Sequence, residues 1–309
     1  MKIIFMGSAA FAVPSLHKIL ESEHEVIAVI TQPDKPAGRG LEITACPVAA
    51  FARENNLFLF QPEKVRSNTP FIENLKKLGA DLFVVVAYGK ILPKEVLAIP
   101  HKGCVNVHSS LLPKYRGPAP IHWAIINGDE ETGVTTMFMN EKMDEGDIIH
   151  YCTTSIDECE TAQDLHDRLA VLGSELLQQT LEAIAKNEAE PFAQPHHLQS
   201  YAPMLEREDG HINWQQPAKQ VYNRFRGLTP WPGAFCFVEG KRLHIHEAAF
   251  VNDEHKEKPG CILSLDKAIV VACQTGKLYL LEVQLEGKKR MPVQDFLRGH
   301  PLTVGTILT

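Results

Sequence analysis

Along residues 1–189, short apolar runs alternate with stretches of helical periodicity. "KIIFMG" is followed by "PSLHKILES", "VIAVIT", a helical segment near 47–55, "FIENLKKLG", "DLFVVVAYG" and "GCVNVH". Strands separated by helices predict a parallel sheet covered on both faces. "VIAVI" and "LFVVVA" are apolar at consecutive positions, as central strands require. Sheets of this kind place their ligands outside the carboxyl ends of the strands. Further on, Thr161 and Asp164 have the spacing of a capping box, and Leu165, Leu169, Leu172 and Leu176 continue at helical intervals. They predict a long amphipathic helix whose leucine stripe packs into the core.

The periodicity fails between about 186 and 204, where "NEAEPFAQPHHLQSYAPM" carries three prolines and a His-His pair. Residues 190–205 are therefore expected to form a linker. No carboxylate or cysteine at ligand spacing accompanies His196 and His197, so they read as linker residues and not as metal ligands. After the linker, "AFCFVEG", "RLHIHEAAFV", "CILSL", "AIVVAC" and "KLYLLEVQLEG" are short strands divided by turns, with helical pieces near 217–227 and 292–299. The expected fold is α/β: a doubly wound, mainly parallel N-terminal domain over 1–189 and an OB-like β-barrel over 206–309.

Composition narrows the function classes. A chain of 309 residues with 44% hydrophobic and 22% charged residues has the balance of a globular protein with room for two domains. "MKIIFMG" lacks the layout of a signal peptide, and no apolar stretch approaches the roughly 20 residues of a membrane span. A cytoplasmic protein with no membrane partner is expected. Seven cysteines form no CxxC pair or zinc spacing, which predicts reduced thiols and no metal. The net charge of -7 is uneven: residues 1–205 carry 17 basic against 26 acidic groups, whereas 206–309 carry 14 against 12. The second domain is thus the one suited to touch phosphates.

The candidate chemistry lies in "CVNVHSSLLPKYRGPAP", residues 104–120. Asn106 and His108 stand at i, i+2 and project from one face where a strand ends. Some 36 residues on, "MNEKMDEGDII" follows the strand "GVTTMFM" and gathers Glu141, Asp144, Glu145 and Asp147 around Gly146. A carboxamide donor, an imidazole and a carboxylate that charges it suit acyl-type transfer through a tetrahedral intermediate. A covalent route through Ser109 or Ser110 would call for a G-x-S-x-G elbow, which is absent. "GSAAFA" at Gly7 and Ser8 lacks the three-glycine spacing of a dinucleotide site, and there is no Walker sequence.

Taken together, "NVHSSLLPKYRGPAPI" and "ETGVTTMFMNEKMDEGDII" resemble the folate-dependent formyltransferases, as do "IIFMGSAAFAVPSL" and "AYGKILP". The resemblance implies that the family's catalytic Asn, His and Asp fall on Asn106, His108 and Asp144. It also implies a folate site lined by Tyr88, Gly89, Ile91, Ser110, Leu111, Leu112 and Pro113, with 10-formyltetrahydrofolate as formyl donor and co-substrate. "INWQQPAKQVYNRFRGLTPWPGAF", "GKKRMPVQDFLRGH" and "GTIL" are similar to the C-terminal domain of family members that act on aminoacylated tRNA. The implied reaction is formylation of the free amino group of methionine on initiator tRNA, for translation initiation.

On this resemblance Arg39, in the Pro/Gly-rich loop "TQPDKPAGRGLEI", meets the tRNA, although Leu41, Glu42 and Ile43 stand where family members commonly carry lysines. Arg224, Arg226, Lys288, Lys289 and Arg290 are the expected phosphate contacts of the second domain. Trp231, between two prolines, reads as a rigid corner of the barrel. A monomer is expected. Two alternatives remain open at this point: a formyltransferase acting on an amino sugar nucleotide, and a non-enzymatic tRNA-binding protein.

Overall fold

A computed structural model describes residues 1–37 and 42–309. In chain order the elements are β1 (Lys2–Gly7), α1 (Val13–Leu20), β2 (Glu25–Ile30), β3 (Lys35–Ala37), β4 (Glu42–Thr44), α2 (Pro47–Glu54), β5 (Leu59–Phe60), α3 (Thr69–Leu78), β6 (Leu82–Val86), α4 (Lys94–Leu97), β7 (Cys104–His108), α5 (Pro120–Ile126), β8 (Glu131–Phe138), β9 (Ile148–Ser155) and α6 (Ala162–Lys186). They are followed by α7 (Ala218–Gly227), β10 (Ala234–Val238), β11 (Lys241–Val251), β12 (Ile262–Leu265), β13 (Ile269–Ala272), β14 (Lys277–Leu285), β15 (Met291–Pro292) and α8 (Val293–Gly299). Contacts divide the chain into two units. One contains 1–120, 131–155 and 166–202; the other contains 121–130, 156–165 and 203–309.

The first unit is built on a seven-stranded sheet in the order β5-β2-β1-β6-β7-β8-β9. Pairing is parallel from β5 through β7 and antiparallel for β7 with β8 and β8 with β9. The predicted apolar runs are its centre: Ile3, Ile4, Phe5, Leu82, Phe83, Val84 and Val86 are fully buried. Local signals set the helix ends. In α3, Asn68 accepts a hydrogen bond from the Phe71 N–H, a proline lies in the first turn, and Gly79 closes the helix in the left-handed region.

Because β8 runs antiparallel, its last residue, Phe138, pairs with Val105 near the start of β7. The 139–147 loop therefore has to fold back toward the far end of β7 to reach the site. Gly146 permits the return, since a Cβ there would overlap the Phe138 carbonyl oxygen.

The stretch 190–202, within the expected linker 190–205, is bonded to the first unit. Phe192 bridges to Ile148, Tyr201 bridges to Arg116, and the segment belongs to the first unit. Apart from a short helical turn at His196–Leu198, its backbone groups find partners on the sheet and on the loop after β7.

In the second unit, the strands follow one another antiparallel in the order β10-β11-β14-β13-β12, with β15 on β14. Their inward positions, among them Leu243, Ile262, Val271, Leu278, Leu280 and Val283, form one core with Val221 and Phe225 of α7 and Phe296 of α8. The C-terminal residues cover both outer strands. Thr309 and Phe237 exchange backbone hydrogen bonds of 2.6 and 3.1 Å, and the Ile262 N–H donates to Thr306 at 2.8 Å. The capping box of α6 forms as its sequence requires: the Asp164 carboxylate accepts from the Thr161 N–H at 3.0 Å, and the Thr161 hydroxyl accepts from the Asp164 N–H at 3.3 Å. Among the described residues no helix is long and apolar enough to cross a membrane.

Candidate active site

Asn106 and His108 occupy alternate positions of β7 and so share one face of the sheet. His108 is 7% exposed. Its Nε2 lies 2.9 Å from the Tyr115 carbonyl oxygen, an acceptor, so this nitrogen carries the ring proton in the neutral form. Nδ1 is then the nitrogen that gains a second proton, and it faces Asp144 Oδ1 at 3.8 Å. The other Asp144 oxygen accepts from the Gly117 N–H at 2.8 Å.

Of the four acids read from the sequence, only Asp144 faces the histidine. Glu141 pairs with Lys94, Glu145 with Arg116 and Lys142, and Asp147 is exposed. Asp144 holds a left-handed backbone, φ 52°, as does Tyr115 at 64°. Both are non-glycine residues in a region that costs energy, a feature common where side chains are aimed at a reaction centre.

The loop between His108 and Tyr115 is anchored from β8. The Thr135 hydroxyl donates to the Ser110 carbonyl at 2.7 Å and accepts from the Leu112 N–H at 3.1 Å, while the Ser110 hydroxyl donates to Lys114 O at 2.7 Å. Leu112 packs with Met137 and Ile148 beneath the loop. Gly117 is required by its φ of 109° and by the Tyr201 ring, 2.6 Å from where a Cβ would stand.

The expected folate residues thus divide. Gly89 and Ile91 follow β6, Leu111 follows the adjacent β7, and these three keep surface, Ile91 being 74% exposed. Such apolar surface beside the carboxyl ends of two neighbouring strands fits a flat aromatic co-substrate. Ser110, Leu112 and Pro113 are buried and form the loop's framework. Tyr88 corrects the expectation: its side chain is 2% exposed in the core beneath the sheet, where burial pushes its phenol up to about 12. Its carbonyl oxygen is taken by Ser8 and Gln32.

The expected tRNA contacts divide in the same way. Arg39 lies outside the described residues. Arg226 is only 4% exposed; its guanidinium donates to Asn223 and to the carbonyl oxygens of Asp157 and Glu160, and burial pulls it below its usual value. It is a structural cation, closed to phosphate. Arg224 donates to the Asp209 carbonyl at 2.5 Å, and Arg290 is paired with Glu282. Lys288 and Lys289 are exposed. Trp231 is 51% exposed.

Sequence reading missed Tyr115 and Arg116, although both stand in the stretch that drew attention, because a carbonyl acceptor leaves no mark on residue type. It missed Gln194 for want of any local signal. Among the described residues no group of three His, Cys, Asp or Glu is placed to hold a metal ion.

Residues 1–181 match the formyl transferase family and residues 204–301 the formyl transferase C-terminal domain, which makes formyl transferase the class of this protein. Over the whole length of both chains it is 46% identical to a methionyl-tRNA formyltransferase of Caldanaerobacter subterraneus subsp. tengcongensis. It is 47% identical to one of Acetivibrio thermocellus, covering 100% of this chain and 99% of that one. The chain belongs to the methionyl-tRNA formyltransferase family. Among solved structures, the sugar 3N-formyl transferase WlaRD, crystallised in the presence of dTDP and 5-N-formyl-THF, shares the fold at a TM-score of 0.70 and 20% identity over 94% of this chain and 99% of its own. HypX from Aquifex aeolicus in complex with tetrahydrofolic acid gives 0.66 and 21%, with this chain spanning 50% of its length.

Proposed function

We propose that the protein transfers the formyl group of 10-formyltetrahydrofolate to the free amino group of methionine on initiator tRNA, giving N-formylmethionyl-tRNA for translation initiation. One observation carries the reading: the His108–Asp144 couple stands at the end of β7 in a chain matched from end to end by methionyl-tRNA formyltransferases. The amino-sugar alternative is supported only by a shared fold at 20% identity. A purely binding role has no use for a buried histidine aimed at a carboxylate beside a loop held in left-handed conformations.

The co-substrate supplies a formyl group carried on a folate nitrogen. Asn106 offers its carboxamide N–H to the negative charge that builds on the formyl oxygen as the methionyl amine attacks, and the positive charge of protonated His108 stands on the same strand face. The Tyr115 carbonyl fixes Nε2, which leaves Nδ1 to hold or release the proton. Asp144, oriented by the Gly117 N–H, stabilises the cation and helps move protons toward the leaving nitrogen. Gly89, Ile91 and Leu111 would cover the folate ring, with Ser110, Leu112 and Pro113 fixing the loop that presents Leu111. Residues 206–309 would bind the tRNA, with Lys288, Lys289 and Arg224 at its phosphates and Arg39 in the 31–43 loop meeting the acceptor end. The reading is of a monomeric, cytoplasmic enzyme; among the described residues no helix is long and apolar enough to cross a membrane.

The test is to incubate the purified protein with 10-formyltetrahydrofolate and methionyl-tRNA, deacylate mildly and look for formylmethionine. Formylmethionine is the expected product. Its absence under conditions where the folate binds contradicts the reading.

A further inference from the structure

We propose that Gln194 and Arg116 are positioning residues that hold Asp144 against His108, so that the stretch after α6 forms the back wall of the active site. The inference rests on the reading of Asp144 as the partner of His108, and it adds the device that keeps it there.

Asp144 adopts a left-handed backbone, and hydrogen bonds from outside its loop hold it there. One comes from Gln194. Its Nε2 donates to the carbonyl oxygens of Asp144 and Gly146, each at 2.8 Å, with the side chain 3% exposed. Its Oε1 accepts from Arg116 Nε at 3.0 Å and Nη2 at 2.7 Å. The amide has one workable orientation, because a flip would set N–H groups against the guanidinium and oxygen against two carbonyls.

Arg116 is 5% exposed and is itself fixed by Gln199 at 2.5 Å, His196 Nδ1 at 3.0 Å and Glu145 at 3.4 Å. Next along the chain is Gly117, whose N–H holds the Asp144 carboxylate. The same stretch also ties the other end of the couple: Ser200 Oγ accepts from the Tyr115 N–H at 2.9 Å, and Tyr115 supplies the carbonyl that fixes His108. Ser200 and Ala202 pair with the backbone of Arg116 at 2.9 and 2.7 Å. Both halves of the catalytic couple are thereby referred to residues 194–202, which contribute no group to the reaction.

Gln194→Glu separates positioning from packing. The carboxylate retains the volume and the acceptor for Arg116 but has no N–H for the two carbonyls. With methionyl-tRNA and the formyl donor, kcat should fall by roughly tenfold to hundredfold while both KM values stay within about threefold, the size expected when a reacting group is misplaced by about 1 Å. A second readout is independent of activity. The Gly117 amide proton signal, set by the bond to Asp144, should move in Gln194→Glu toward its position in Asp144→Asn.

Arg116→Lys, which keeps the charge beside Glu145 but lacks the planar fork whose two nitrogens meet Gln194, should give the same split. A lower melting temperature with kcat and the Gly117 signal unmoved overturns the proposal, because that is the signature of a merely structural contact. If the unsubstituted protein makes no formylmethionine, the functional reading fails and the Gly117 signal alone decides this one.

Discussion

Tyr88 shows how a residue that reads as a ligand contact is spent on the core. Its hydroxyl is buried with no hydrogen-bond partner among the described residues. A buried polar group left unpaired costs about 1–3 kcal/mol. Tyr88→Phe should therefore raise the thermal midpoint by a few degrees and leave formyl transfer unchanged; a fall in both would return the phenol to the folate site. Asn106 and His108 were legible because strand periodicity alone sets them on one face, but the choice of Asp144 among four acids was not. It depends on the return path of the 139–147 loop, and residue types say nothing about a path. Arg226 failed for a related reason. Its cation looks like a phosphate contact until Asp157, Glu160 and Asn223 surround it.

At the scale of elements, the apolar runs and cap signals located β1, β2, β6, β7 and α6 because each follows from local chemistry. The capping box of α6 is the clearest case. Thr161→Ala removes one of its two reciprocal bonds and should cost about 1 kcal/mol, read as a lower urea midpoint with unchanged slope. An unchanged midpoint would show that the tertiary packing of Leu165, Leu169 and Leu177, all fully buried, fixes the helix start by itself. The partners of the stretch 190–202 lay beyond local reasoning. Prolines and paired histidines mark a linker, and its hydrogen bonds go to Ile148, Tyr115 and Arg116, which are distant in sequence.

For the whole molecule, burial makes stability sensitive to alkali. Cys104, Cys236 and Cys273 are each pushed up to about 12, as is the Tyr88 phenol, because the interior disfavours their charged forms. The unfolded chain then binds fewer protons than the folded one between the ordinary values and about 12, so stability falls as pH rises through that window. The urea midpoint should decline as pH rises from about 9 toward 12. A flat profile to pH 11 would contradict the burial of these groups.

The antiparallel second sheet was legible from the change in strand pattern, whereas nothing in the sequence marked 121–130 and 156–165 as belonging to its unit. The closure of the second unit by residues 306–309 was not legible either, since "GTIL" carries no sign of the edges it covers. The formyl group and the tRNA rest on kinship, and the roles proposed for Asn106, His108 and Asp144 join that kinship to their placement at the end of β7. The measurement that joins them is the formylation rate of methionyl-tRNA at saturating 10-formyltetrahydrofolate, taken in parallel for the unsubstituted protein, Asn106→Ala and Asp144→Ala. The unsubstituted protein should turn over, and each variant should be slower by roughly 10²–10³ with its circular dichroism intact. Near-normal rates in both variants would contradict the account.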